Sequence, residues 1–122
     1  MDNPIILYRI QDKEGRGPFE PGFSNLWVED RVDYANLKGL FIDFPCFWEK
    51  IKGRDNKYFG CACSTPEKLQ RWFTQGEYEK LISFGYKAVK LVAHEIIAES
   101  DTQSFIQRNI PFSEKTISFN LY

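Results

Sequence analysis

At 122 residues, 43% hydrophobic and 16% aromatic, the chain has the length and apolar content of one domain, residues 1–122, and too little length for a second. Its formal net charge of -1 excludes the overall positive field of a nucleic-acid binder or of a protein drawn to anionic membrane. No stretch is long and apolar enough to span a membrane, and Asp2-Asn3-Pro4 lacks the basic start of a secretory leader, so a cytoplasmic location is expected.

Ile5 to Ile10 is β-branched and aromatic and predicts a first strand, with Arg9 near its end. Asp12 to Gly22 then interrupts regular structure, and Gly15-Arg16-Gly17-Pro18-Phe19-Glu20-Pro21-Gly22 is dense in turn formers. Arg16 between two glycines suits two uses: a backbone cradle for a phosphate, or a rigid turn anchored by Phe19. From Phe23 to Lys57 the aromatic residues fall at irregular spacing, which predicts one or two short helices. Leu40, Phe44, Phe47, Trp48 and Ile51 would share a face if Pro45 stands near a helix start. Lys50, Lys52, Arg54 and Lys57 form a basic cluster of the kind that usually lies in solvent.

Tyr58 to Glu67 reads as a buried strand running into a capped helix. Phe59, Cys61 and Cys63 share a strand face, Thr65 is the N-cap, Pro66 takes the first helical position, and Glu67 suits the positive end of the dipole. Ser64 and Thr65 thus place two hydroxyls beside unpaired N–H groups, either as a plain cap or as part of a ligand site. The three cysteines are an odd number, and a disulfide between Cys61 and Cys63 would be strained, which fits a reducing compartment. Cys63, just ahead of a helix N-terminus, is either a reactive thiol or inert packing. His94, the only histidine, falls in a different strand from the cysteine pair, so no metal is expected.

Pro66 to Thr74 predicts a helix with Leu69, Trp72 and Phe73 inward, ended by Gln75-Gly76. A second helix follows over Glu77 to Phe84, with Tyr78, Leu81 and Ile82 inward and Gly85 as a left-handed C-cap. Tyr86 to Ala98 alternates as one strand, sending Val89, Leu91, Ala93 and Ile97 to the core and His94 to the opposite face. Strands over Thr102 to Ile110 and Thr116 to Leu121 complete the chain. This order implies an α+β fold, with a mainly antiparallel sheet and two consecutive helices between strands.

Tyr8-Arg9-Ile10 with Gly15-Arg16-Gly17-Pro18-Phe19, Leu69, Trp72-Phe73 and Gly85-Tyr86 resembles a group of short proteins encoded by phages and prophages. That resemblance implies a context: accessory factors, or inhibitors of host defence of the anti-CRISPR kind. A second resemblance is to the ADP-ribosyltransferases, which use an Arg, a Ser-Thr-Ser and a Glu. Arg9 and Ser64 match the first two by order. Gln103 takes the place of the Glu, because Thr102-Gln103-Ser104-Phe105-Ile106-Gln107-Arg108-Asn109-Ile110-Pro111-Phe112 is similar to the segment that follows it. The family's fold is implied, along with NAD as ligand, a phosphate and ribose held by Arg9, and a ribose hydroxyl met by Gln103. Pro66 stands in place of the last Ser. The neutral amide of Gln103 lacks the charge that would stabilise an oxocarbenium-like state, unless Glu95 or Glu99 reaches the cleft.

No residue is assigned a catalytic role. One expectation is a nucleotide site (NAD or ADP-ribose) built from Arg9, Ser64, Thr65 and Gln103, with Arg16 as a possible phosphate ligand, weakly catalytic or binding only. Its counter-reading pairs Arg9 with Asp12 or Glu67 as a structural ion pair. The other expectations are a protein-binding inhibitor of a bacterial defence system, for which an exposed cluster of Trp27, Phe47 and Trp48 would argue, and a structural or interaction domain.

Overall fold

The first strand forms as β1 (Ile5–Gln11) and lies antiparallel to β3 (Lys87–Ala93), with Ile5 opposite Ala93 and Gln11 opposite Lys87. The computed structural model describes residues 4–19, 22–29, 37 and 39–122. Residues 1–3, Glu20-Pro21 of the turn segment, residues 30–36 and 38 of the aromatic region, and the side chain of Phe41 lie outside the described residues. The remaining elements are a short 3-10 helix (Ser24–Leu26), α1 (Leu40–Asp43), α2 (Phe47–Ile51), β2 (Tyr58–Ala62), α3 (Pro66–Trp72), α4 (Gln75–Ser83), β4 (Glu95–Glu99), β5 (Ser104–Arg108) and β6 (Ile117–Phe119). The architecture is α+β with two three-stranded antiparallel sheets, ordered β1-β3-β6 and β2-β5-β4. A single antiparallel bridge joins them: the N–H of Tyr8 donates to the Cys63 carbonyl at 2.8 Å, and the N–H of Cys63 donates back at 2.7 Å.

Strand alternation sorts the core into layers. Leu7 of β1 with Val89, Leu91 and Ala93 of β3 packs against Ala62, Ile106 and Phe112 between the sheets. The opposite face of the first sheet carries Ile10 and Ala88, which meet Leu69, Trp72, Tyr78 and Leu81 of α3 and α4. On the far side of the second sheet, Phe44 and Phe47 pack on Phe105. With Phe105 turned to one layer and Ile106 to the other, β5 is buried along its whole length.

Three expectations are corrected. The single strand over 86–98 is two strands in different sheets: His94, itself exposed, gives its N–H to the Gln107 carbonyl at 2.8 Å, and so hands the chain from β3 to the edge of β5. A register shift between Ile96 and Ala98 then turns Ile97 toward the Phe105 layer and away from Val89. Second, Gln75-Gly76 does not separate the helices. Thr74 caps α4 in a full capping box with Glu77, so the helix begins at Gln75, and Ile82, expected inward, is 45% exposed. Third, Leu40, Phe44, Phe47, Trp48 and Ile51 do not share one helical face, because Pro45, just ahead of the α2 cap, separates two short helices. It stands in the turn between α1 and α2, so Phe44 and Phe47 are buried while Trp48 is 64% exposed.

Gly85 follows the expected geometry. At φ +92° it lets its own N–H reach Ile82 O and that of Tyr86 reach Leu81 O, the paired bonds of a left-handed helix end. Gly85→Ala is therefore expected to lower stability by about 1–2 kcal/mol in urea unfolding, and Gly85→Asn by less.

Candidate functional site

A cleft of about 670 Å³ opens where β1, the end of β2 and the residue ahead of β5 meet, and its lining includes Arg9, Gly60, Cys61, Cys63, Gln103 and Phe112. Arg9 reaches it because β1 alternation turns Leu7, Arg9 and Gln11 to the same face, toward the second sheet. Its guanidinium donates from Nη1 to the Cys61 carbonyl and from Nη2 to the Gly15 carbonyl, both at 2.9 Å, and lies 4.4 Å from the centre of the Phe112 ring. Among the described residues no carboxylate lies within ion-pair distance of it, and Nε is buried without a partner. The pairing with Asp12 or Glu67 is therefore not formed. Burial lowers the Arg9 pKa to about 10, against an opposing pull from the Cys61 thiolate form, and the group remains cationic at neutral pH.

Gly60 is what allows that placement. A Cβ there would stand 2.7 Å from Arg9 Nη1 and 3.1 Å from the tip of Phe112. Arg108 approaches the same ring from 5.7 Å and is held by Val92 O and Pro111 O, so the ring has a backbone-bonded arginine at each of two approaches.

Gln103 is buried against the cleft and sits just before β5. Its Nε2 donates to Asp43 Oδ2 at 2.9 Å, and the Ser100 hydroxyl donates to that same oxygen. The turn before it is braced by α3: the Trp72 indole donates to Thr102 O at 2.8 Å, and the Cys63 thiol meets the same carbonyl at 3.7 Å.

The structure thus brings Arg9, Arg16 and Gln103 to one cleft, while neither Ser64 nor Thr65 lines it. The Thr65 hydroxyl accepts from the Lys68 N–H at 3.1 Å as the N-cap of α3. Arg16 lies at the rim and pairs with Asp12 at 3.0 Å and Glu14 at 3.3 Å. Burial works to raise the Asp12 pKa, but hydrogen bonds from Arg16 and from the Glu14 backbone outweigh it and hold the carboxyl below its usual range. Glu95 is engaged with Arg54 at 2.9 Å, Glu99 accepts from Ser104 at 2.7 Å, and neither lines the cleft. The carboxylate beside Gln103 is Asp43, and no local pattern marks it, since the two residues are 60 apart in sequence. Among the described residues no cluster of His, Cys, Asp and Glu is arranged to hold a metal ion. No helix there is long and apolar enough to cross a membrane.

Cys63 is not an activated thiol. Burial raises its pKa to about 12, and the same cause raises that of Cys61 to about 11.

The fold and cleft define a small α+β domain with an aromatic-walled pocket that carries a buried cation. A family model described as bacteriophage T4 Y00F protein matches residues 1–119, and the chain belongs to that family. Comparisons with curated proteins and with solved structures give no match.

Two outcomes follow from this geometry. Gly60→Ala is expected to displace the Arg9 guanidinium from Cys61 O and to cost about 1–3 kcal/mol in denaturant unfolding, as overpacking of a filled core does. At pH 8 a thiol reagent should label exposed Cys46 at once, half-buried Cys61 in the cleft more slowly, and buried Cys63 only on unfolding. Because folding raises both buried thiols above their ordinary 9.0, the stability tied to their protonated forms is complete below pH 9 and falls as pH rises toward 12.

Proposed function

We propose that this phage-family protein acts in the cytoplasm of the infected cell by binding a nucleotide-type ligand, NAD or ADP-ribose, in the Arg9 cleft. On this reading it is an ADP-ribosyltransferase-like domain with weak transfer chemistry or none. One observation carries the reading: Arg9 of β1 and Gln103 ahead of β5, far apart in sequence, line the same cleft. Arg9 offers a phosphate a cation that forms no ion pair among the described residues, and its two terminal nitrogens, each bonded to one carbonyl, keep a further N–H apiece. Gln103 offers a ribose hydroxyl an amide partner. Phe19, Phe59 and Trp72 give the walls an apolar, aromatic character suited to a base or a nicotinamide ring. Thr65 contributes through the cap of α3, whose Leu69 and Trp72 line the cleft. Weak chemistry follows from the amide, since losing one preorganised charge-stabilising group commonly costs about 100-fold or more in rate.

A second reading, a protein-binding inhibitor of a bacterial defence system, is favoured by exposed Trp48, whose ring centre lies 4.5 Å from that of Phe47. Trp27 and Phe47 are buried, so the three residues do not form one exposed cluster.

Calorimetric titration with NAD, ADP-ribose and ATP separates the readings. NAD and ADP-ribose are expected to bind, Arg9→Lys and Gln103→Ala to weaken both at least about tenfold, and Trp48→Ala to leave them unchanged. Absence of binding by all three ligands to the folded wild-type protein would overturn the nucleotide reading.

A further inference from the structure

Gln103 has a charged neighbour that sequence alone did not reveal. Asp43, at the end of α1, accepts from Gln103 Nε2 and from the Ser100 hydroxyl, and Leu40 of the same helix lines the cleft. A carboxylate can only accept from a neutral amide, so this bond sets the amide with its nitrogen toward Asp43 and its oxygen away from it. Both charges act on the Cys61 thiol of the lining: Arg9 lowers its pKa while Asp43 raises it. The cleft therefore has a fixed cation at the β1 end and a fixed anion behind Gln103. A ligand laid from one to the other meets opposite potentials at its two ends.

We propose that Asp43 is a positioning and charge-selecting residue of this cleft: it holds the Gln103 carboxamide and favours a ligand with an anionic group at the Arg9 end and a positive charge at the Gln103 end. The inference rests on the nucleotide reading and deepens it. Among dinucleotides it selects oxidised NAD, whose nicotinamide ring is cationic, over NADH, which has nearly the same size and the same pyrophosphate but a neutral ring. It also gives the glutamine a physical reason. A glutamate at position 103 would place two carboxylates within hydrogen-bond distance, where one must keep a proton, whereas Gln103 beside Asp43 leaves one stable anion.

The test is calorimetric titration of the full chain with NAD and with NADH at pH 7.5, for wild type, Asp43→Asn, Asp43→Ala and the double variant Asp43→Asn/Gln103→Glu. Asparagine at 43 can still accept from the Gln103 amide, so that variant removes charge and retains position. The double variant reverses the bond and moves the charge to 103.

Wild type is expected to prefer NAD by roughly tenfold, the scale of one partly screened charge. Asp43→Asn should bring the two affinities together mainly by weakening NAD, and the double variant should restore the preference. Asp43→Ala, which also frees the amide, should weaken both ligands. A purely structural role would move NAD and NADH equally. An unchanged NAD-to-NADH ratio in folded Asp43→Asn, or no preference in wild type, overturns the charge-selecting role while leaving the nucleotide reading standing. Failure of wild type to bind either ligand overturns both. Should Asp43→Asn fail to fold by circular dichroism, the double variant against wild type decides, because loss of preference with the charge retained at 103 contradicts the proposal.

Discussion

A guanidinium has been taken out of water at Arg9 and, among the described residues, met by dipoles instead of a counter-ion. The carbonyls of Cys61 and Gly15 and the face of Phe112 hold it, so β1, β2, the first turn and the loop after β5 converge on one side chain. Isolated charges are costly to bury, and here the cost appears as a pKa lowered to about 10. A carboxylate partner would have neutralised the group. Carbonyl oxygens stabilise the cation and leave its net charge intact, and that makes one end of the cleft electropositive in a chain whose total charge is nearly balanced.

The other end is built on different lines. Trp72 and Cys63 both reach Thr102 O, which ties α3 and the end of β2 to the turn ahead of β5, while Asp43 of α1 accepts from Ser100 and Gln103 of that same turn. The Thr65 cap matters to the cleft through this chain of contacts: it fixes the start of α3, α3 places Trp72, and Trp72 places the residue before Gln103. A polar cap and a buried indole thus position an amide that neither of them touches.

What was legible in the sequence was local. The β1 strand, the strand-to-helix junction at Thr65 and the glycine at 85 carry their geometry within a few residues, and each forms as its chemistry dictates. Thr74 to Glu77 carried an equally local capping-box signal, hidden by the breaking tendency of Gly76, which the box overrides. The split at His94 had no such signal, because what ends β3 is a hydrogen bond to Gln107, a strand away. For the site, Arg9 and Gln103 could be matched by order along the chain, but Asp43 is defined only by a contact across 60 residues. Ser64 was matched by order and Thr65 read as the N-cap, and the cap is what forms, with neither residue lining the cleft.

The pairing of β1 with β3 also bears on how the protein is made. Ile5 waits for Ala93 and Gln11 for Lys87, and β6, which closes the other side of β3, comes later still. At a synthesis rate of roughly 5–20 residues per second, β1 leaves the ribosome between about 4 and about 18 seconds before its partner. During that interval Arg9 is an ordinary hydrated side chain, and the strand edge around it stays open to any other segment. The buried cation therefore forms late in assembly, and a chain stopped before β3 would lack both the partner of β1 and the means of taking that charge out of water.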